Sequence, residues 1–194
     1  MTTPRQSLLD ALDTSVVGRR REVELVVAAL DADRHVLLEG PPGTGKSTLL
    51  RAVAEGLGIG FVFVEGNAEL TPARLVGHFD PARVLNEGYE PDVFVDGPLV
   101  TAMRDGSLLY VEEINRIPEE TLNVLITVMS EGELNVPRFG RVVAADGFRL
   151  VAAMNPCPCG HAGAHFGSRV RPRMPSVDGV SIGRRRGEDC VPGR

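Results

Sequence analysis

A chain of 194 residues can form one domain with a hydrophobic core and a short appendage, and its hydrophobic fraction of 43% is ordinary for a globular protein. Tryptophan is absent, aromatic residues make up 5%, and the formal net charge is −5, so nucleic-acid binding is not expected. No stretch approaches the roughly 20 apolar residues of a membrane span, and the N-terminus lacks the basic and apolar regions of an export signal.

Charge and cysteine divide the chain into two parts. Residues 1–156 carry 14 Lys and Arg against 23 Asp and Glu, whereas residues 157–194 carry 7 against 3. All three cysteines lie in the second part, which excludes a disulfide framework for the first part and favours a cytoplasmic protein. We therefore expect a folded core over 1–156 and a Gly/Arg-rich tail over 157–194. Lys46 is the only lysine.

Helical spacing predicts helices in "PRQSLLDALD" and "REVELVVAAL", with "VVGRRR" as a turn between them. Further helices are predicted over 46–58, 97–106 and 118–132, and the last places Leu122, Leu125, Ile126 and Met129 on one face. Buried strands are predicted at 35–40, 60–66, 107–113 and 148–155.

The segment 67–97 is interpreted as loops with short helical turns, and 133–147 as a hairpin with Gly140 near its tip. Apolar strands that alternate with helices predict an α/β fold, with a parallel sheet covered on both faces.

"GPPGTGKS", Gly40 to Ser47, fits the phosphate-binding pattern G-x-x-x-x-G-K-[ST] between a predicted strand and a predicted helix. Glycines let backbone N–H groups turn toward phosphate oxygens, and the helix adds the positive end of its dipole. Lys46 can reach the β- and γ-phosphates, and Ser47 can bind Mg²⁺. A ligand-free glycine turn is the alternative, and the intact motif with both flanks argues against it.

"LLYVEE" is an apolar run that ends in two glutamates. A P-loop nucleotidase needs a second acidic strand end beside the first strand to hold Mg²⁺, and Glu112 would take that role. Glu113 would polarise the attacking water. Aspartate is the usual residue in the first role, so Glu112 is a departure. The alternative is that both glutamates only begin an acidic turn.

"MNP" ends the fourth strand, between the two other strand ends. Asn155 there could orient water and sense the γ-phosphate, although Asn before Pro is also a common turn residue.

With these residues in place, the chain resembles an AAA+ ATPase of the MoxR family, near the CbbQ/NirQ/NorQ type. The resemblance covers nearly all of 15–156, through "VVGRRREVELVVAAL", "HVLLEGPPGTGKSTL", "LTPARLVGHFDP", "DGPLVTAMRDGSLLYVEEINRIPEETLNVLITVMSEGEL" and "FRLVAAMNP". It implies a P-loop NTPase (AAA+) core, ATP and Mg²⁺ as cofactors, and hexameric rings that remodel or activate a client, often beside a von Willebrand factor A partner. The segment near "GHFDP" and the 133–146 hairpin resemble insertions that face the pore or client.

The resemblance also assigns roles to individual residues. Glu113 and Asn155 (the sensor-1 residue) are catalytic, Ser47 and Glu112 hold the metal ion, and Val17 and Gly18 lie near the adenine. Nucleotide contacts fall to the loop residues Gly40, Pro41, Pro42, Gly43, Thr44, Gly45, Lys46, Ser47 and Thr48.

After Pro156 the family continues with an arginine-finger helix and a small helical lid domain, neither of which is recognisable in 157–194. Three interpretations compete: a disordered basic tail, a zinc site of Cys157, Cys159, His161 and His165, or a reading-frame shift. The last is favoured, because suitable codons for 164–194, read one base along, can encode a continuation like the family's. It implies a core truncated after the sensor-1 strand, with poor ATP turnover.

Three functions therefore remain open. The first is an ATP-hydrolysing MoxR-type protein that acts on a partner protein. The second is a nucleotide-binding module without efficient turnover. The third, suggested by "NPCPCG", is a magnesium-chelatase-like subunit.

Overall fold

The computed structural model describes residues 20–41 and 43–155. The helices, in chain order, are α1 (Arg20–Asp31), α2 (Lys46–Leu57), α3 (Pro72–Val76), α4 (Pro81–Glu87), α5 (Pro98–Asp105) and α6 (Glu119–Glu131). The strands are β1 (Val36–Glu39), β2 (Phe61–Glu65), β3 (Gly77–Phe79), β4 (Phe94–Asp96), β5 (Leu108–Glu112), β6 (Glu133–Val136), β7 (Gly140–Val143) and β8 (Arg149–Met154). Short 3-10 turns occupy Pro91–Val93 and Ile114–Arg116.

The main sheet has the strand order β1-β8-β5-β2, and each neighbouring pair is parallel. The predicted parallel sheet is confirmed. Since the strands are parallel, their carboxyl ends share one edge, where Glu39 lies opposite Met154 and Glu65 lies opposite Glu112. The expectation that the acidic strand lies beside the first strand was wrong, because β8 is inserted between β1 and β5.

Helices cover both faces of the sheet, as predicted. Alternate residues of β5 separate into two cores: Leu108 and Tyr110 pack with α1 and α2, whereas Leu109 and Val111 pack with α5 and α6. All four are fully buried. The burial of each such side chain stabilises the fold by roughly 1.5–3 kcal/mol, so β5 is anchored from both sides.

Two apolar patterns differ from their predictions. Leu37 of β1 is 37% exposed, since β1 lies at an edge of the main sheet and is not buried on both faces. Ile126 of α6 is 38% exposed, whereas Thr121, Leu125 and Val128 are the buried positions. Thr121 can face the core because its hydroxyl donates a 2.7 Å hydrogen bond to the Leu70 carbonyl, whereas Leu122 and Met129 of the predicted face pack partly buried against the same core.

The segment predicted as loops contains the antiparallel pair β3–β4 as well as α3 and α4. The second hairpin, β6–β7, matches its prediction, with Gly140 at the start of β7. Phe94 of the first hairpin stacks on Phe139 of the second, with ring centroids 4.4 Å apart. Strands of three residues held by such tertiary contacts leave little periodicity in the sequence.

At the start of the described chain, Arg20 and Arg21 already belong to α1, so the predicted turn does not extend to them. The predicted helix in "PRQSLLDALD" and the tail 157–194 lie outside the described residues. Within the ranges that the structure describes, no helix is long and apolar enough to cross a membrane.

Candidate functional site

The loop from Gly40 to Ser47 connects β1 to α2 at the carboxyl edge of the sheet. Gly43 and Gly45 have φ angles of 71° and 70°, a left-handed conformation that favours glycine over residues with a Cβ atom. Gly45 is the N-cap of α2, and no side chain caps this helix. A helix N-terminus without a side-chain cap leaves backbone N–H groups free to bind an anion.

The glycines also leave space around the loop. A Cβ atom built on Gly40, Gly43 or Gly45 would meet no other atom within 4 Å. Lys46 Nζ donates 2.9 Å hydrogen bonds to the carbonyl oxygens of both Gly40 and Pro41. The ammonium group therefore lies over its own loop, where phosphate oxygens could replace the two carbonyl acceptors.

Thr44 supports the same backbone, since its hydroxyl donates a 3.0 Å hydrogen bond to the Pro41 carbonyl. Thr48 is exposed in the first turn of α2. The loop is thus held in shape by contacts within itself, and its helical end remains open.

Ser47 and Glu112 meet across the sheet edge. Ser47 Oγ lies 3.4 Å from both carboxylate oxygens of Glu112, which is the last residue of β5. Both side chains are half-buried. A hydroxyl and a carboxylate are oxygen ligands of the type that Mg²⁺ prefers, so this pair fits a magnesium ion beside the phosphate loop.

Glu113 occupies a strained backbone position directly after β5. Its φ and ψ angles are 50° and 44°, a left-handed conformation that is uncommon for a residue with a side chain. Its carboxylate forms a 2.5 Å ion pair with the guanidinium of Arg116. The structure therefore brings Glu113 to the predicted strand end, where its carboxylate already has a partner.

Gly66, which follows β2, packs against this strand end. Its N–H donates a 2.7 Å hydrogen bond to the Glu112 carbonyl, and a Cβ atom on it would lie 2.5 Å from the Glu113 carbonyl oxygen. Sequence reasoning missed this residue. A glycine directly after a buried strand is the available signal, since it often marks a close approach of two backbones.

Tyr110 is a second residue that sequence reasoning missed. Its side chain is fully buried, and its hydroxyl has no hydrogen-bond partner among the described residues. Burial raises the pKa of Tyr110 to about 12; the Ser47 hydroxyl opposes this shift, and the nearby negative charge of Glu112 adds to it. Its position two residues before Glu112 was the signal, because residues i and i+2 of a strand share a face.

Asn155 follows β8, whose end lies between the ends of β1 and β5. The Gly40 N–H donates a 3.2 Å hydrogen bond to the carbonyl of Met154, which fixes this strand end against the phosphate loop. The predicted position between the two other strand ends is therefore correct.

Several predicted residues lie outside the described part of the chain. These are Val17, Gly18, Pro42, and the zinc candidates Cys157, Cys159, His161 and His165. Within residues 20–41 and 43–155, no group of three or more His, Cys, Asp or Glu residues could hold a metal ion. The two-residue Ser47–Glu112 pair would thus rely on phosphate and water for its remaining ligands.

Comparisons with known proteins identify the family of this chain. The family described as "AAA domain (dynein-related subfamily)" matches residues 35–174. An uncharacterised protein of Staphylococcus epidermidis is 35% identical over 130 residues, which are 66% of this chain and 49% of that protein. An uncharacterised protein of Staphylococcus aureus is 36% identical over the same length and the same shares. This chain spans about half the length of these curated relatives.

Among solved structures, a protein of Cytophaga hutchinsonii described as a "putative ATPase" superposes with a TM-score of 0.64. It is 20% identical in sequence, and the match covers 81% of this chain and 44% of that one, so it supports the fold alone. The family match spans more than half of the chain and includes the loop, both glutamates and Asn155. The chain therefore belongs to the AAA domain family, in its dynein-related subfamily, and its α/β core is that of a P-loop AAA+ ATPase.

Proposed function

We propose that this chain binds ATP together with Mg²⁺ at the Gly40–Ser47 loop and hydrolyses it. The observation that carries the proposal is the meeting of Ser47 and Glu112, 3.4 Å apart, at the mouth of an open glycine loop. A loop that merely turned the chain would not need a carboxylate delivered from a different strand.

In this proposal the loop binds the phosphates. Backbone N–H groups at the start of α2 donate to phosphate oxygens, and Lys46 exchanges its two carbonyl acceptors for oxygens of the β- and γ-phosphates. The exchange retains the number of hydrogen bonds and adds an ionic attraction. Lys46 is suited to this role because the Gly40 and Pro41 carbonyls hold its ammonium group above the loop.

Ser47 and Glu112 would hold Mg²⁺, which neutralises charge on the phosphates when it is bound. The additional methylene of Glu112, relative to aspartate, extends the carboxylate by roughly 1.3–1.5 Å. A contact made through a water molecule tolerates this extension better than a direct one.

Glu113 would accept a proton from, or orient, the water that attacks the γ-phosphate, and Asn155 would position the same water. The ion pair with Arg116 must rearrange for this role, since it occupies one oxygen of the Glu113 carboxylate. The Arg116 side chain is 62% exposed and the Glu113 side chain is 28% exposed, so water partly screens the ion pair and its rearrangement costs little.

At the level of the whole protein, we propose a MoxR-type activity, in which a cytoplasmic, hexameric ring uses ATP to remodel or activate a partner protein. A client or a von Willebrand factor A-type protein would be that partner. For the partner site, the supporting observation is the contact between Phe94 and Phe139, because it joins β3–β4 and β6–β7 into one surface. These two hairpins are the segments with which we expect the client to interact.

The test of ATP binding is thermal denaturation of the full chain with and without Mg²⁺–ATP. Ligand at 100 times its dissociation constant should add about 2.7 kcal/mol to the free energy of unfolding. Lys46→Ala should remove this gain. Arg51→Ala, which deletes an exposed cation from the same helix, should retain it. Equal stabilisation of the Lys46→Ala variant and the parent would overturn the assignment of the loop.

A further inference from the structure

Tyr110 has a buried hydroxyl that the fold alone does not explain. Its ring is fixed between α2 and the sheet, with the rings of Phe61 and Phe63 at centroid distances of 6.1 Å and 5.7 Å. Within the described residues its hydroxyl lies beside the Ser47 hydroxyl and the Glu112 carboxylate but makes no hydrogen bond of normal distance and angle, although the side chain is fully buried. A buried polar group without a partner destabilises a protein, so phenylalanine would serve the core better.

The hydroxyl is nevertheless well placed with respect to the proposed magnesium site. Tyr110 and Glu112 lie on the same face of β5, and the phenol is a neighbour of both the Glu112 carboxylate and the Ser47 hydroxyl. Ser47 and Glu112 in turn face one another at 3.4 Å. Three oxygen-bearing side chains from α2 and β5 therefore converge below the phosphate loop, and only Tyr110 has no assigned role.

We propose that Tyr110 is a positioning residue of the magnesium site, whose phenolic O–H holds one carboxylate oxygen of Glu112 so that the other faces the metal ion. This inference rests on the proposed binding of Mg²⁺–ATP. The hydroxyl forms this hydrogen bond when Glu112 adopts its metal-binding orientation. Tyr110 itself does not contact the metal ion or the nucleotide.

The same geometry gives a reason for glutamate at position 112. The phenol is held by the core and cannot move toward the strand end, so the carboxylate must reach it. A glutamate side chain extends roughly 1.3–1.5 Å further than an aspartate side chain. Tyr110 and Glu112 are thus matched in length, and aspartate at position 112 would lose the contact with the phenol.

The test measures how much Mg²⁺ is needed for the stabilisation of the chain by ATP. Melting temperatures are recorded for the parent and for Tyr110→Phe in three conditions: without ligand, with ATP and a chelator, and with ATP over a series of Mg²⁺ concentrations. Tyr89→Phe is the matched control, because it removes a hydroxyl from the chain's other tyrosine, which is 49% exposed and packs on Phe79.

We expect Tyr110→Phe to melt at the same temperature as the parent, or higher, without ligand, since it loses an unsatisfied buried group. Its response to ATP with the chelator should be unchanged. The Mg²⁺ concentration that gives half of the metal-dependent shift should rise about tenfold, the effect of losing one hydrogen bond to a charged group. Tyr89→Phe should match the parent in all three conditions.

A second variant tests the match in length. Glu112→Asp should raise the half-saturating Mg²⁺ concentration by a similar factor, and the double variant should raise it no further than either single change. Independent, multiplicative effects would show that the two side chains do not act together, and would overturn the inference.

The remaining outcomes separate the inference from the proposed function. Absence of any ATP-induced shift in the parent would overturn both. If Tyr110→Phe reaches half of the metal-dependent shift at the same Mg²⁺ concentration as the parent, only the role of Tyr110 is overturned. A lower melting temperature of Tyr110→Phe without ligand would also overturn it, because the hydroxyl would then support the fold itself.

Discussion

Ser47 Oγ lies 3.4 Å from each of the two carboxylate oxygens of Glu112, although 65 residues separate them in the chain. The contact does not arise from neighbouring strands, because β8 lies between β1 and β5. It arises because α2 begins above the sheet edge and its first turn reaches over β8 toward the end of β5. The site therefore depends on the position of α2 as much as on the strand order.

The first prediction concerns this pair. Glu112→Ala should leave the stabilisation by ATP in the presence of a chelator intact and should remove most of the additional stabilisation by Mg²⁺, because only the metal contact is deleted. Melting temperatures with and without Mg²⁺ measure the effect. Glu65→Ala is the control, since Glu65 pairs with Glu112 in the strand register but is exposed at the end of β2. If Glu112→Ala also lost the stabilisation by ATP in the presence of the chelator, the assignment of Glu112 to the metal ion would be contradicted.

The second prediction concerns Glu113. Glu113→Gln keeps the length of the side chain and its left-handed backbone, so binding of Mg²⁺–ATP should be retained. Phosphate release should fall by roughly 10²–10⁴-fold, the usual contribution of a group that handles a proton in the reaction. Glu120→Gln, an exposed glutamate in the first turn of α6, should release phosphate at the parent's rate. If Glu113→Gln instead changed the Mg²⁺ requirement, the roles of the two glutamates would be reversed.

Those parts of the site that depend on short motifs could be predicted from the sequence. The phosphate loop fits its pattern in full, and the glutamates follow an apolar run, so the spacing alone places them at strand ends. The position of Asn155 followed from the same reasoning. Each of these predictions uses residues that are close in sequence, and the physical requirement acts on the local backbone.

What could not be predicted depends on contacts between distant segments. The close approach of Gly66 to the Glu112 and Glu113 carbonyls depends on the pairing of β2 with β5. The core-facing side of α6 was predicted in part: Leu125 is buried and Leu122 and Met129 pack against the core, but Thr121 reads as polar although its hydroxyl is satisfied by the distant carbonyl of Leu70.

The third prediction tests this close approach. Gly66→Ala places a Cβ atom within 2.5 Å and 2.7 Å of two backbone carbonyl oxygens, which cannot move without displacing the end of β5. The free energy of unfolding should fall by about 1–3 kcal/mol, and Mg²⁺-dependent stabilisation by ATP should weaken. Gly40→Ala is the control for stability without ligand, because its Cβ atom meets nothing within 4 Å and its φ angle is not positive. Equal stability of the two variants would contradict the prediction, because the end of β5 could then shift at no cost in stability.

The fourth prediction concerns the opposite edge of the sheet, where His35 precedes β1. Its Nδ1 atom accepts a 2.9 Å hydrogen bond from the Leu150 N–H, which ties β1 to β8. Burial lowers the pKa of His35, because the charged imidazolium is poorly solvated there. A protonated ring also cannot accept the bond, since Nδ1 then carries a hydrogen. The charged groups nearby, Asp33 and Arg149, form an ion pair with one another.

The direction of the pH effect follows from this lowered pKa. The unfolded chain binds a proton at His35 near pH ~6.5, whereas the folded chain resists it to a lower pH. Stability should therefore be complete above pH ~6.5 and should decline as the pH falls below that value, by at most about 1.4 kcal/mol per pH unit for one proton. Below the folded pKa the loss should level off.

The measurement compares melting temperatures between pH 7.5 and pH 5.5, roughly one unit either side of the histidine value. His35→Asn offers an acceptor oxygen near the position of Nδ1 and does not titrate, so it should lose less stability on acidification than the parent. His78→Asn, at an exposed site on β3, is the control for replacing a histidine by asparagine elsewhere in the chain. The ion pair of Asp33 and Arg149 is retained in both variants, so it cannot account for a difference between them. Identical pH profiles for His35→Asn and the parent would contradict the prediction, and the acid sensitivity would then belong to the carboxylates.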